Sequence, residues 1–128
     1  MNSSDDLKKA NLNTEAAISA LAIFDRVATL DRLDGDEELF KELIEIFSVD
    51  SEQQLAQLKI ACDSKSTTDV HRVAHAIKGA LGNIGAMRCH HTASEIELQA
   101  KAGTCNRELL MKLQSEIKIY LEHVKQPQ

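Results

Sequence analysis

Apolar side chains recur along this chain at three- and four-residue steps, the repeat of an amphipathic helix. From Ala16 onward Ile18, Leu21, Phe24, Val27, Leu30 and Leu33 follow one another up to Gly35, predicting one helix, or two if Asp25 caps a fresh start. Asp34 or Asp36 is positioned to cap the next helix. Leu39, Phe40, Leu43, Ile46, Phe47, Leu55, Leu58 and Cys62 mark it as a long one running to about Asp63. Ser66 with Asp69 forms a capping-box pattern ahead of a third helix over Thr67 to Ile84, and Gly85 permits the break after it. Cys89, Thr92, Ala93, Ile96 and Ala100 define a fourth stripe closed by Gly103. Asn106 then caps a last helix with Leu110, Leu113, Ile117, Tyr120 and Val124 on one seam. Short connectors make successive helices antiparallel neighbours. The expectation is an all-α protein: an up-and-down antiparallel four-helix bundle with an additional N-terminal helix, spanning residues 14–128 behind a polar tail or linker at 1–13.

Composition agrees with this pattern and removes several classes of function. The sole proline is Pro127, so no ring interrupts a helix before it, and 128 residues suffice for one core without staples. Three cysteines, Cys62, Cys89 and Cys105, are an odd number without a CxxC pair. This argues against a disulfide framework or a zinc knuckle and for reduced thiols in a cytoplasmic protein. Fifteen basic against twenty acidic side chains leave a net charge of −5, the wrong sign for binding nucleic acid, and three Phe, one Tyr and no Trp provide no stacking platform. No stretch approaches the roughly 20 apolar residues of a membrane span, so membrane insertion is not expected. The opening MNSSDDLKKANLN lacks the basic and then apolar pattern of a secretory signal.

One segment carries more than packing. In VHRVAHAIKGALGNIG, residues 70–85, the positions Val70, Val73, Ala74, Ile77, Leu81 and Ile84 share an arc of about 100° on a helical wheel. His75 lies about 150° from the centre of that arc, facing water. Gly79 and Gly82 follow it one and two turns on, leaving bare backbone beside the ring at about 0.5 to 1 kcal/mol per mid-helix glycine. Such paired glycines point to a second surface that approaches the backbone closely. Lys78 stands on the flank of the same face, where its ammonium would lower the charge cost of a phosphoryl group on the imidazole. An accessible histidine with an ordinary pKa near 6.5 is substantially neutral near pH 7, with a ring lone pair free to attack phosphorus. His71, one turn earlier, makes HRVAH resemble half of a zinc motif. However, Arg72 stands where the metalloprotease motif has Glu and no third ligand is evident, so no metal is expected.

AHAIKGALGNIGA at 74–86 closely resembles the signature of histidine phosphotransfer (HPt) domains, His-x-x-Lys-Gly-small-x-x-x-aliphatic-Gly. LDRLDGDEELFKELIEIF at 30–47 is similar to the family's first helical hairpin, and IELQAKAG at 96–103 to the end of its fourth helix. The resemblance implies that His75 is the phosphoacceptor, Lys78 the phosphate-side cation and Gly79 the clearance for an incoming receiver domain. It puts Glu97 where relatives carry a residue that contacts the acceptor ring, and Lys101 where some carry a basic residue near the phosphate. His90, Ser94, Glu97 and Lys101 share one helix stripe turned away from Cys89 and Ile96. A docking surface of His71, Ala76, Gly79, Gly82 and Lys101 follows, with His90, His91 and His123 read as ordinary surface residues. The implied function is a monomeric phosphocarrier, not itself an enzyme, that relays a phosphoryl group between receiver-domain aspartates of response regulators and hybrid sensor histidine kinases. It would bind no cofactor of its own, Mg2+ being the receiver's. Two alternatives stay open at the level of sequence: a chemotaxis-type domain phosphorylated directly by a histidine kinase catalytic domain, and a helical adaptor without chemistry.

Overall fold

The computed structural model describes residues 23–125. Within them the chain forms five helices and no strand: α1 (Arg26–Arg32), α2 (Glu37–Asp63), α3 (Thr67–Asn83), α4 (Met87–Lys101) and α5 (Arg107–Val124). Four of the five begin at a side-chain cap. Asp25 accepts from the Ala28 amide, Asp36 from Leu39, Ser66 from Asp69 and Asn106 from Leu109, each satisfying an amide that the first turn leaves without a partner. Helix α4 has no such cap and starts directly from a tight turn at Gly85 and the buried Ala86. The first four helices end at left-handed residues. Gly35, Gly85 and Gly103 have φ of 74°, 72° and 91°, while Lys65, at 56°, performs the same reversal between α2 and α3 without a glycine.

The four long helices form a closed ring of contacts, each packing on its neighbours in sequence and α5 closing against α2. Short α1 sits over one end. The core takes Phe40, Ile44, Phe47 and Leu58 from α2, Val70, Val73, Ile77 and Leu81 from α3, Cys89, Ala93 and Ile96 from α4, and Leu113, Ile117 and Tyr120 from α5. This is the four-helix bundle with an extra N-terminal helix that the periodicity predicts. The expected tail at 1–13 and the helical pattern at 16–22 lie outside the described residues.

Two positions assigned to the inner stripe of α2 are corrected. Leu39 and Ile46 are 37% and 58% exposed, and Ile44 and Ser51 occupy the interior instead. Leu39 and Ile46 lie seven residues apart in one row on the flank of the helix. The rows that meet the bundle run through residues 40, 44, 47, 51 and 58. Apolarity alone does not force a flank position inside.

The α3–α4 turn is tied from three directions, which matters because these two helices carry the site. Gly85 O accepts the Asp25 amide at 2.9 Å, and the Arg32 guanidinium donates to Gly82 O at 3.1 Å. The buried Tyr120 hydroxyl donates to Ile84 O at 2.5 Å. The Gly82, Ile84 and Gly85 carbonyls thus receive donors from α1, α5 and the α1 cap, Gly82 O also accepting the Gly85 amide at 3.2 Å. The Tyr120 ring meets Phe24 edge-on and Phe24 stacks on Phe40 at 5.1 Å, so aromatic packing backs the same turn. Burial pushes the Tyr120 phenol well above its ordinary range, so it serves as a neutral donor.

Gly85 has no room for a side chain: a Cβ there would overlap Thr29 Oγ1 and stand 3.0 Å from Asp25 O, on a backbone that L-residues rarely adopt. Gly85→Ala is expected to cost about 2 kcal/mol or more, read in thermal unfolding as a midpoint lower by several degrees. An unchanged midpoint would refute this account of the turn.

Candidate functional site

His75 stands in the middle of α3 with its side chain 69% exposed, on the face opposite the buried Val73, Ala74 and Ile77. Its ring is nevertheless held. Nδ1 lies 2.5 Å from Oε2 of Glu97 on α4, and the other carboxylate oxygen, Oε1, accepts from Lys78 Nζ at 2.7 Å. One carboxylate therefore joins the imidazole and the ammonium, which the helix places three residues apart. Glu97 contacts the His75 ring as the resemblance implies, and its side chain is only 11% exposed, sunk between α3 and α4, which pack closely. On the stripe of His90, Ser94, Glu97 and Lys101, His90 and Glu97 face α3, while Lys101 at its end is exposed.

Charge at the site follows from these contacts. Burial alone would raise the Glu97 pKa, but the hydrogen bond from Lys78 outweighs it. With the smaller contribution of His75 it holds the carboxyl below the usual carboxylate range. Glu97 is then an anion at neutral pH and can only accept, so Nδ1 of His75 carries the proton. With Nδ1 carrying the proton, the neutral form of the ring has its lone pair on Nε2, away from Glu97. Lys78, 25% exposed, is turned towards Glu97 rather than standing free beside the ring.

The remaining predicted positions divide. At Gly79 a Cβ would meet nothing within 4 Å, and Ala76 beside it is exposed, so the surface next to His75 is open there. At Gly82 it is not. The His90 ring lies against it, 3.3 Å from where a Cβ would be, so the expected bare backbone two turns from His75 is covered. His71 and His75 lie with rings nearly parallel at 7° and centroids 6.4 Å apart. Lys101 is exposed in the last turn of α4, and among the described residues no ion pair joins it to Glu97.

Sequence reasoning missed His90, which it left among ordinary surface residues. Burial, and then the nearby positive charge of Lys78 and of His91, lowers its pKa, so it stays neutral beside the site. Its place on the Glu97 stripe was the available signal. Among the described residues no group of three or more His, Cys, Asp or Glu side chains is arranged to hold a metal ion, and no helix is long and apolar enough to cross a membrane.

A helical bundle that presents one oriented, solvent-facing imidazole, with a cation and an open glycine face beside it, defines a carrier of groups more than a substrate cleft. The sequence profile of the Hpt domain matches residues 42–126, and the chain belongs to that family. It is accordingly a histidine phosphotransfer domain of two-component phosphorelays, a family of phosphocarriers that work with receiver domains and kinases. The fold matches the crystal structure of histidine-containing phosphotransfer protein B (HptB) from Pseudomonas aeruginosa PAO1. The TM-score is 0.75 at 24% identity, over 83% of this chain and 94% of that one. A search of curated proteins returned no match.

The depressed Glu97 pKa fixes a sign. Stability from an ionised Glu97 is fully present above the ordinary carboxylate range and is lost as pH falls through its lowered folded-state value. Glu97→Gln should therefore flatten the acid limb of a stability-versus-pH curve. In the wild type, imidazole 15N spectra at neutral pH should report the Nδ1–H tautomer. Equal acid slopes in the two proteins, or an Nε2–H tautomer in the wild type, would contradict the bridge.

Proposed function

We propose that His75 is the phosphoacceptor and that this chain relays a phosphoryl group between receiver-domain aspartates, as a monomeric cytoplasmic carrier. The observation that carries the reading is the Glu97 carboxylate on Nδ1, which leaves Nε2 as the nucleophile on the exposed side of the ring. In the forward step Nε2 attacks the phosphorus of a phospho-aspartate, the N–P bond forms, and the P–O bond to the aspartate breaks, returning a carboxylate. The Nδ1 proton stays on its nitrogen against Glu97, which offsets positive charge developing on the ring. Lys78 has three N–H donors, so it can keep Glu97 Oε1 and still offer one to the phosphoryl oxygens. The Mg2+ of the reaction is assigned to the receiver.

Docking is proposed to centre on Ala76 and Gly79, where backbone is open. His71 and Lys101 flank this surface, and Gly82 is reached only through the His90 ring. A glycine retained where nothing blocks a side chain is a helix weakened for another purpose.

Two measurements test this. Mixed with phosphorylated receivers in the absence of ATP, the chain should acquire an acid-labile, base-stable label that His75→Gln abolishes with circular dichroism and melting unchanged. Lys78→Ala should slow labelling by about 10- to 100-fold, the loss of one charge-assisted hydrogen bond. Label persisting in His75→Gln would overturn the assignment. Separately, Gly79→Ala should raise stability by about 1 kcal/mol while raising KM for the phosphorylated receiver. A variant both more stable and equally well docked would show that the open face has no part in binding.

A further inference from the structure

At the pole of the bundle where α2 ends and α5 begins, two thiols far apart in the chain come together. Cys62 lies in the last turn of α2 and is buried; Cys105 lies in the α4–α5 connection and is half-exposed. Both line one shallow cleft with Asp63, Gly103, Thr104 and Arg107. The Cys105 side chain is near enough to the Cys62 thiol to act on its ionisation. The Arg107–Asp63 ion pair holds the two segments together beside them. Cys105 sits in the connection outside either helix, whereas Cys62 is fixed on a helix. The third cysteine is different in kind. Cys89 is buried on α4 with its thiol pushed up to about 12, chiefly by burial.

We propose that Cys62 and Cys105 are an oxidation site, forming an intramolecular disulfide with hydrogen peroxide as oxidant. The accessible Cys105 reacts first. As thiolate it attacks one peroxide oxygen, the S–O bond forms, the O–O bond breaks, and the departing hydroxide leaves as water with the proton the thiol gave up. The Cys62 sulfur then attacks the Cys105 sulfenic acid. The S–S bond forms, the S–O bond breaks, and a second water carries off the Cys62 proton. The two thiols together lose two electrons and peroxide is reduced to two waters. Burial, reinforced by the Cys105 thiol beside it, holds the Cys62 thiol up, so Cys62 acts as the resolving partner rather than the first to react.

The bond would close a loop containing all of α3 and α4, the hairpin that carries His75, Lys78 and Glu97. His75 stands about 12 Å along α3 from the end being tied, so the disulfide staples the hairpin at its base and leaves the imidazole face open. The proposal is independent of the phosphotransfer reading.

The test uses the full chain treated with hydrogen peroxide, alkylated in denaturant and digested without reductant. The expected product is a cross-linked pair of peptides containing Cys62 and Cys105, lighter by two hydrogens than the reduced pair, with Cys89 alkylated. The oxidised monomer should melt several degrees higher, and reductant or Cys105→Ser should remove the shift. Cys105 overoxidised to sulfinic acid with Cys62 still alkylated, or a Cys105-linked dimer in place of the internal bridge, would overturn the proposal.

Discussion

A carboxylate sunk between two helices organises this protein. Glu97 is removed from water at a cost that an isolated anion would escape by protonating, and it stays charged because Lys78 and His75 both donate to it. The same pair of contacts determines where the imidazole proton resides. Orientation, tautomer and charge at the exposed ring thus rest on one side chain of the neighbouring helix.

That arrangement depends on helix register, and register depends on the turn that joins α3 to α4. Glu97 reaches His75 only if the chain reverses at a fixed point and angle. Gly85 reverses it with a left-handed backbone pressed against Thr29 and the Asp25 carbonyl. Tyr120, Arg32 and the Asp25 amide satisfy the carbonyls exposed there, so elements distant in sequence brace the hairpin that holds the site. Short α1, which contributes little to the core, has its reason for being here.

The outward face shows the opposite preference. Gly79 lies mid-helix with open space above it, a position where alanine would strengthen the helix, and His75 is left mostly in water. The stability lost at Gly79 agrees with the docking role proposed for this face. Members of the Hpt family are phosphocarriers, and here the described residues show an oriented ring that is mostly exposed.

Sequence by itself determined the helices, their caps and the identity of the exposed histidine. These are local matters: the spacing of apolar residues, an oxygen before four of the five first turns, a glycine after a last one, and a histidine opposite an apolar arc. It also put Glu97 on the right stripe of α4. What it did not determine was which way that stripe faces. The burial of Glu97, the ring of His90 on Gly82, the turning outward of Leu39 and Ile46, and the convergence of Cys62 and Cys105 on one cleft all depend on how helices rotate and cross when packed. Tertiary structure decided these, because a helical repeat fixes which residues share a face and only a packed neighbour decides which face is wet.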